Sequence, residues 1–174
     1  MNMFDKEFNF KGQYGKYCRG LNSMEGNGLF NTNREAYVYS SIIGYLNNAH
    51  STRDNYDKNE REASILPSEL MRRKSDLRFL YHLVMLLKEE PGYTTDDYIN
   101  RTFRDEADEN NPEKLQKNME IFNAYAEGGI EFLYKKFGEH TNLADVVDEL
   151  YKFINDFAMD VGLKEPEIDF KEFE

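Results

Sequence analysis

A single cysteine, Cys18, leaves this chain of 174 residues without an internal disulfide and fits a reducing compartment. Long apolar runs are missing too. None approaches the roughly eighteen residues of a membrane helix, and no charged-then-apolar leader follows Met1. The expectation is a cytoplasmic chain with neither a signal peptide nor a membrane span. Basic residues are scarce: 22 Lys and Arg stand against 33 Asp and Glu, for a formal charge of −11 and a pI near 4.8. That balance excludes a surface that is basic all round, as a general nucleic-acid footprint would need, and suits basic partners better.

Motifs that carry chemistry are absent as well. There is no Gly-x-Ser-x-Gly nucleophile turn, no Gly-x-x-x-x-Gly-Lys-Ser/Thr phosphate loop, and no His-x-x-x-His, Cys-x-x-Cys or Glu-x-x-His ligand pair. The three histidines, His50, His82 and His140, stand in no recognisable catalytic setting, and His82 lies among leucines. Gly26-Asn27-Gly28 has no third glycine at dinucleotide spacing and reads as a turn. Carboxylate pairs such as Asp96-Asp97, Asp105-Glu106 and Asp108-Glu109 read as solvated faces of an acidic chain. No enzyme activity, cofactor or metal is expected.

What the chain does have is enough apolar residue, 40% hydrophobic with 14% aromatic, to bury one sizeable core, and a single domain follows. The organising stretch is Asn111 to Gly138. Asn111 suits an N-cap, Pro112 the first helical position, and Gly138 a left-handed closing residue. Between them Leu115, Met119, Phe122, Ala126, Ile130, Leu133 and Phe137 recur at three- and four-residue spacing. Gly128-Gly129 inside that stripe costs about 1 kcal/mol per glycine relative to alanine, so either another backbone comes close there or the helix breaks. Gly44, in a helix expected from Asn33 to about Asn48, would likewise permit close helix packing.

Further helices are expected from Ser68, from Ser75 or Asp76 to Glu90 before Pro91-Gly92, from Thr94 or Thr95, and from Asn142 to Gly162. The leucine-rich one, from Ser75, is apolar over most of its circumference and should be central. No segment alternates apolar and polar over a strand length. The predicted fold is all-α, a compact single-domain bundle of five or six helices spanning 34–162. A loop-rich N-terminal arm, 1–33, precedes it and an acidic tail, 163–174, follows.

Three charged regions stand out. The arm interleaves Phe4, Phe8, Phe10, Tyr14 and Tyr17 with Lys6, Lys11, Lys16 and Arg19, so Lys11, Tyr14, Lys16, Tyr17 and Arg19 could hold phosphates and stack bases. Equally, the rings could pin the arm to the domain. Arg72-Arg73-Lys74 is the densest basic run, either a positive patch or a set paired with neighbouring acids. Residues 139–174 hold eleven acids against three lysines, a net −8. Asp145, Asp148, Glu149 and Asp156, with Phe170 and Phe173 of the tail, are the candidate partner contacts.

At IFNAYAEGGIEFLYKKF, Ile121 to Phe137, and more loosely at GLFNTNREAYVYSSIIGYLNN, Gly28 to Asn48, the sequence resembles the small proteins encoded beside bacterial DNA phosphorothioation (Dnd) genes. The shared features are a phenylalanine, a Tyr-Ala pair, two nearby glycines and an apolar helical end. The arm and the acidic end have no counterpart in that group. The resemblance implies a place in bacterial defence against foreign DNA and no particular reaction. Three functions are therefore weighed: a non-catalytic accessory subunit holding a larger protein, a nucleic-acid-binding module, and an acidic chain that imitates DNA to a DNA-binding protein.

Overall fold

The computed structural model describes residues 3–51, 59–160 and 162, and the acidic tail with Phe170 and Phe173 lies outside them. Its elements are β1 (Phe8–Phe10), α1 (Gln13–Leu21), α2 (Asn33–Leu46), β2 (Ala63–Ile65), α3 (Pro67–Met71), α4 (Lys74–Leu87), α5 (Thr95–Ile99), a π-helical turn (Asn100–Arg104), α6 (Pro112–Phe137) and α7 (Leu143–Asp160). The protein is mostly helical, with seven α-helices among the described residues. No helix of these residues is long and apolar enough to cross a membrane.

The 26-residue α6 is the axis, about 39 Å long at 1.5 Å per residue. Its stripe of Leu115, Phe122, Ala126, Ile130, Leu133 and Phe137 is buried along the whole length. The helix runs unbroken through Gly128 and Gly129 because two other backbones lie against them. A Cβ on Gly129 would sit 1.9 Å from the Ser40 carbonyl oxygen, and one on Gly44 2.0 Å from that of Tyr125. A Cβ on Gly128 would come 2.2 Å from the Ala49 oxygen. The α2–α6 crossing therefore has no side-chain layer between its backbones. Ser40 and Ser41, buried at the same crossing, donate their hydroxyls to carbonyls of their own helix, those of Tyr37 and Val38, and so ask nothing of α6.

Helix ends depart from expectation in two places. Gly138 stays in the right-handed region (φ −68°, ψ −18°), and its N–H continues the ladder to Tyr134. The last carbonyl, of Phe137, accepts instead from Asn27 Nδ2 at 2.7 Å, a capping bond reaching across 110 residues. The cap of α2 is Thr32, whose hydroxyl accepts from the Glu35 N–H at 3.2 Å, while Glu35 reaches back to the Asn31 N–H. Asn33, the first residue of α2, ties three elements together. Its side chain accepts from Cys18 and Asn22 and donates to the Ser64 carbonyl, joining α1, α2 and β2.

All-α is an overstatement, since β1 and β2 pair antiparallel with Phe8 opposite Ile65 and Phe10 opposite Ala63. Strands of three residues are too short for an alternating pattern to register. The loop-rich arm is likewise corrected. Residues 13–21 form α1, with Tyr14, Cys18 and Leu21 buried at helical spacing. Propensity argues against a helix containing Gly15 and Gly20, but packing decides: a Cβ on Gly15 would meet the Arg61 and Phe10 carbonyl oxygens at 2.6 and 2.8 Å.

The leucine-rich α4 flanks the core instead of forming its centre. Leu77, Tyr81, Val84 and Met85 face inward, whereas Phe79, Leu86 and Leu87 reach solvent. Its C-terminal carbonyls are covered by a buried cation: Arg101 Nε and Nη2 donate to the Met85 oxygen at 3.1 and 2.5 Å, and Nη2 also to Lys88 at 2.5 Å. The rings of Tyr93 and Tyr98 lie 5.1 Å from that guanidinium. Thr94 caps α5 in a reciprocal bond with Asp97, whose carboxyl the Thr94 hydroxyl and N–H hold below its ordinary range.

The crossing yields a direct expectation. Gly129→Ala should destabilise the fold by about 2 to 3 kcal/mol through overpacking, lowering the thermal midpoint, while Lys117→Ala on the exposed side of α6 should change it by no more than about 0.5 kcal/mol. Equal midpoints would mean that the two backbones are not in contact.

Candidate contact surfaces

The basic and aromatic residues of the arm are not gathered into a binding strip. Tyr14 is buried, and Tyr17 is stacked on Tyr134 at 4.6 Å with the rings 25° apart, so neither offers a free face. Arg19 lies 3.5 Å from both Glu25 and Glu60 and donates to the Arg61 carbonyl. Lys11 and Lys16 remain exposed. Arg72 is exposed at the α3–α4 junction, Arg73 is bonded to Asp76 at 2.7 Å, and Lys74 is half-buried beside a cleft of about 410 Å³.

Three of the four carboxylates lining that cleft have partners as well. Asp105 accepts from Asn118 at 3.1 Å, Asp108 from Asn111 at 2.9 Å, and Arg78 binds Glu106. The Asn111 bond holds the Asp108 carboxyl below its usual range. His82 Nε2 lies 3.4 Å from Glu106 with the Phe103 ring 4.9 Å away, but no nucleophile joins them. Among the described residues no group of three His, Cys, Asp or Glu side chains is placed to hold a metal ion. Cys18 is fully buried, and burial pushes its thiol up to about 12, which leaves it protonated and unreactive.

The residues of α7 give a different picture. Val146, Leu150 and Phe153 turn inward, with Phe153 against Phe132 and Phe137 at 6.2 and 5.9 Å. Beside that row runs a second one, Leu143, Val147, Tyr151 and Ile154, which is 57, 52, 50 and 51% exposed. At 100° per residue the two rows adjoin, so the apolar sector of α7 is wider than the body it packs on. The acids lie on the opposite side. Asp145 is occupied as the reciprocal partner of the Asn142 cap, and Glu149 faces Lys136 at 3.7 Å and Lys152 at 3.5 Å. Asp148 and Asp156 are exposed and make no ion pair among the described residues.

A third surface was not foreseen. After α2, Asn48 takes a left-handed conformation (φ 48°), the Ala49 N–H bonds the Gly44 oxygen at 2.8 Å, and the Ser51 N–H bonds the Ala124 oxygen at 2.9 Å. The Ser51 hydroxyl bonds the buried Glu127 carboxylate. Gly128 lets this strap lie flat on α6, and His50 is thereby held beside Tyr125 at the edge of a groove of about 620 Å³. The sequence signal was adjacency: Tyr45 follows Gly44, and Tyr125 comes three residues before Gly128.

Burial raises the pKa of Cys18 and of the tyrosines Tyr14, Tyr45, Tyr81 and Tyr125, so the folded form favours their neutral states. As pH climbs past about 8.5 for thiols and about 10 for phenols, the unfolded chain loses these protons first and the stability they support declines. The urea midpoint should accordingly be lower near pH ~10.5 than near pH ~8. An unchanged midpoint would show that these groups are not desolvated.

Comparison with protein-family models, with curated protein sequences and with solved structures finds no match for this chain.

Proposed function

We propose that this chain is a non-catalytic accessory subunit that holds a larger protein through α7. The observation that carries this reading is the exposed row Leu143, Val147, Tyr151 and Ile154. A contiguous apolar helical face of this kind is the standard donor surface for docking into a groove on a partner. The charge around it specifies the partner. On α7, Asp145, Asp148, Glu149, Asp156 and Asp160 outnumber the one lysine, Lys152, so the side of the helix turned away from the apolar row is acidic and suits a basic partner that reaches past that row. A groove with a basic rim fits, and Asp148 and Asp156 are free to meet it.

Nucleic acid is not the favoured ligand, because Tyr14 and Tyr17 are packed within the protein and Arg19 is paired. The resemblance to Dnd-associated proteins supports placing the larger partner in a bacterial DNA-modification or defence assembly.

Affinity purification from the source cells with wild type and with the double variant Val147→Glu, Ile154→Glu tests the reading. Both sites are about half exposed, so the fold should tolerate the change. The expected result is one larger protein retained by wild type and lost at least tenfold by the variant, with helix content unchanged by circular dichroism. Asp148→Asn with Asp156→Asn should weaken retention more modestly, by about threefold to tenfold. If the amide pair abolished binding while the apolar variant kept it, the acidic side alone would be the recognised feature, as in a DNA mimic. Full retention by every variant would remove α7 from the contact.

A further inference from the structure

On a different face from α7, and independently of the accessory reading, we propose that the groove walled by Tyr45, His50 and Tyr125 binds an organic cation of the quaternary-ammonium or methylated-amine class. Three rings meet there. The Tyr45 and Tyr125 centroids are 5.6 Å apart with planes at 77°, and those of His50 and Tyr125 are 6.0 Å apart at 70°. Near-perpendicular neighbours make a corner of ring faces and edges, and a ring quadrupole attracts positive charge out to about 6 Å from its centroid. Leu46, Leu87, Ile121 and Ala124 line the rest and suit the methyl groups of such a ligand.

Charge on the lining points the same way. Its two charged residues are Lys88 and Glu89, and Lys88 Nζ is bonded to the Glu90 carboxylate. Glu89 makes no ion pair among the described residues and stands close enough to the Tyr45 hydroxyl to help raise its pKa. Glu90 is shared between Lys88 and, at 3.7 Å, Arg101, so Glu89 is the lining's one carboxylate left for an incoming cation to meet. A transition metal is disfavoured, since rings and one carboxylate do not make a ligand set.

The site is also built in advance of any ligand. Tyr45 directly follows the glycine at the α2–α6 crossing, Tyr125 is 6% exposed on α6, and His50 rides on the strap that Gly128 and Ser51 fix in place. Ordering the rings therefore costs little at the moment of binding. The volume of about 620 Å³ lies within the span of small-molecule pockets.

Choline and its uncharged isostere 3,3-dimethyl-1-butanol distinguish this proposal from simple apolar filling. In NMR titrations of the full chain, choline should give saturable shifts at the resonances of Tyr45, His50, Ile121, Ala124 and Tyr125, and the alcohol should bind at least about tenfold more weakly. Tyr45→Leu and Glu89→Gln, at half-buried and exposed positions, should each weaken choline about fivefold or more with the thermal midpoint nearly unchanged, while Tyr45→Phe retains most of the affinity. Equal affinity for the alcohol, an undiminished response in Tyr45→Leu, or shifts that do not saturate would each overturn the proposal.

Discussion

The architecture depends on one contact between main chains, that of α2 with α6, made possible because Gly44 and Gly129 present no Cβ to each other's helix. Helices normally pack 8–10 Å apart through interleaved side chains. Here carbonyl oxygens of Ser40 and Tyr125 occupy the positions where a Cβ of the opposing glycine would be. Once that contact is set, the aromatic residues around it, Tyr37, Phe122 and Tyr81 among them, close over the crossing, with Tyr37 and Tyr81 each edge-on to Phe122. The arm then fills the remaining side: Phe10 and Tyr37 are in edge contact, and Phe4 meets Phe122.

Gly128 extends the same principle to the segment after α2. By admitting the Ala49–His50 backbone it converts the end of α2 into a fixed strap, and a buried carboxylate, Glu127, accepts the Ser51 hydroxyl beneath it. A structural economy of side chains at one point thus positions three rings at another. On the far end of α6 the opposite holds, because α7 has more apolar surface than the described residues cover.

Much of this was readable where local chemistry and tertiary packing agree. The start of α5 at Thr94 or Thr95, the apolar stripe that runs along α6 and the stripe of α7 follow from capping and periodicity, although Asn111 makes no side-chain cap bond and Gly138 is not left-handed. Glycines in the α6 stripe were an open conflict, resolvable as contact or break, and the resolution came from elements distant in sequence. Where packing overrides propensity the reading failed. The glycines of α1 mark places where Arg61 and Tyr134 press against the helix, and a count of them points the wrong way. The basic-aromatic arm was legible as a composition but not as an arrangement, since nothing local says that Tyr17 will stack on a residue as far off as Tyr134. The aromatic groove was hidden for the same reason, its three rings coming from α2, the strap and α6.

The bond from Asn27 to the Phe137 carbonyl has a bearing on the order in which the chain assembles. The segment that precedes α2 is made before α6, and it carries Phe4, Phe10, Tyr14 and Leu21, all buried in the folded protein. Closing so large a loop is entropically slow compared with forming the helices themselves. The final turn of α6 is therefore a latch on residues that precede it by more than a hundred positions, a seal that only the long-range closure can make.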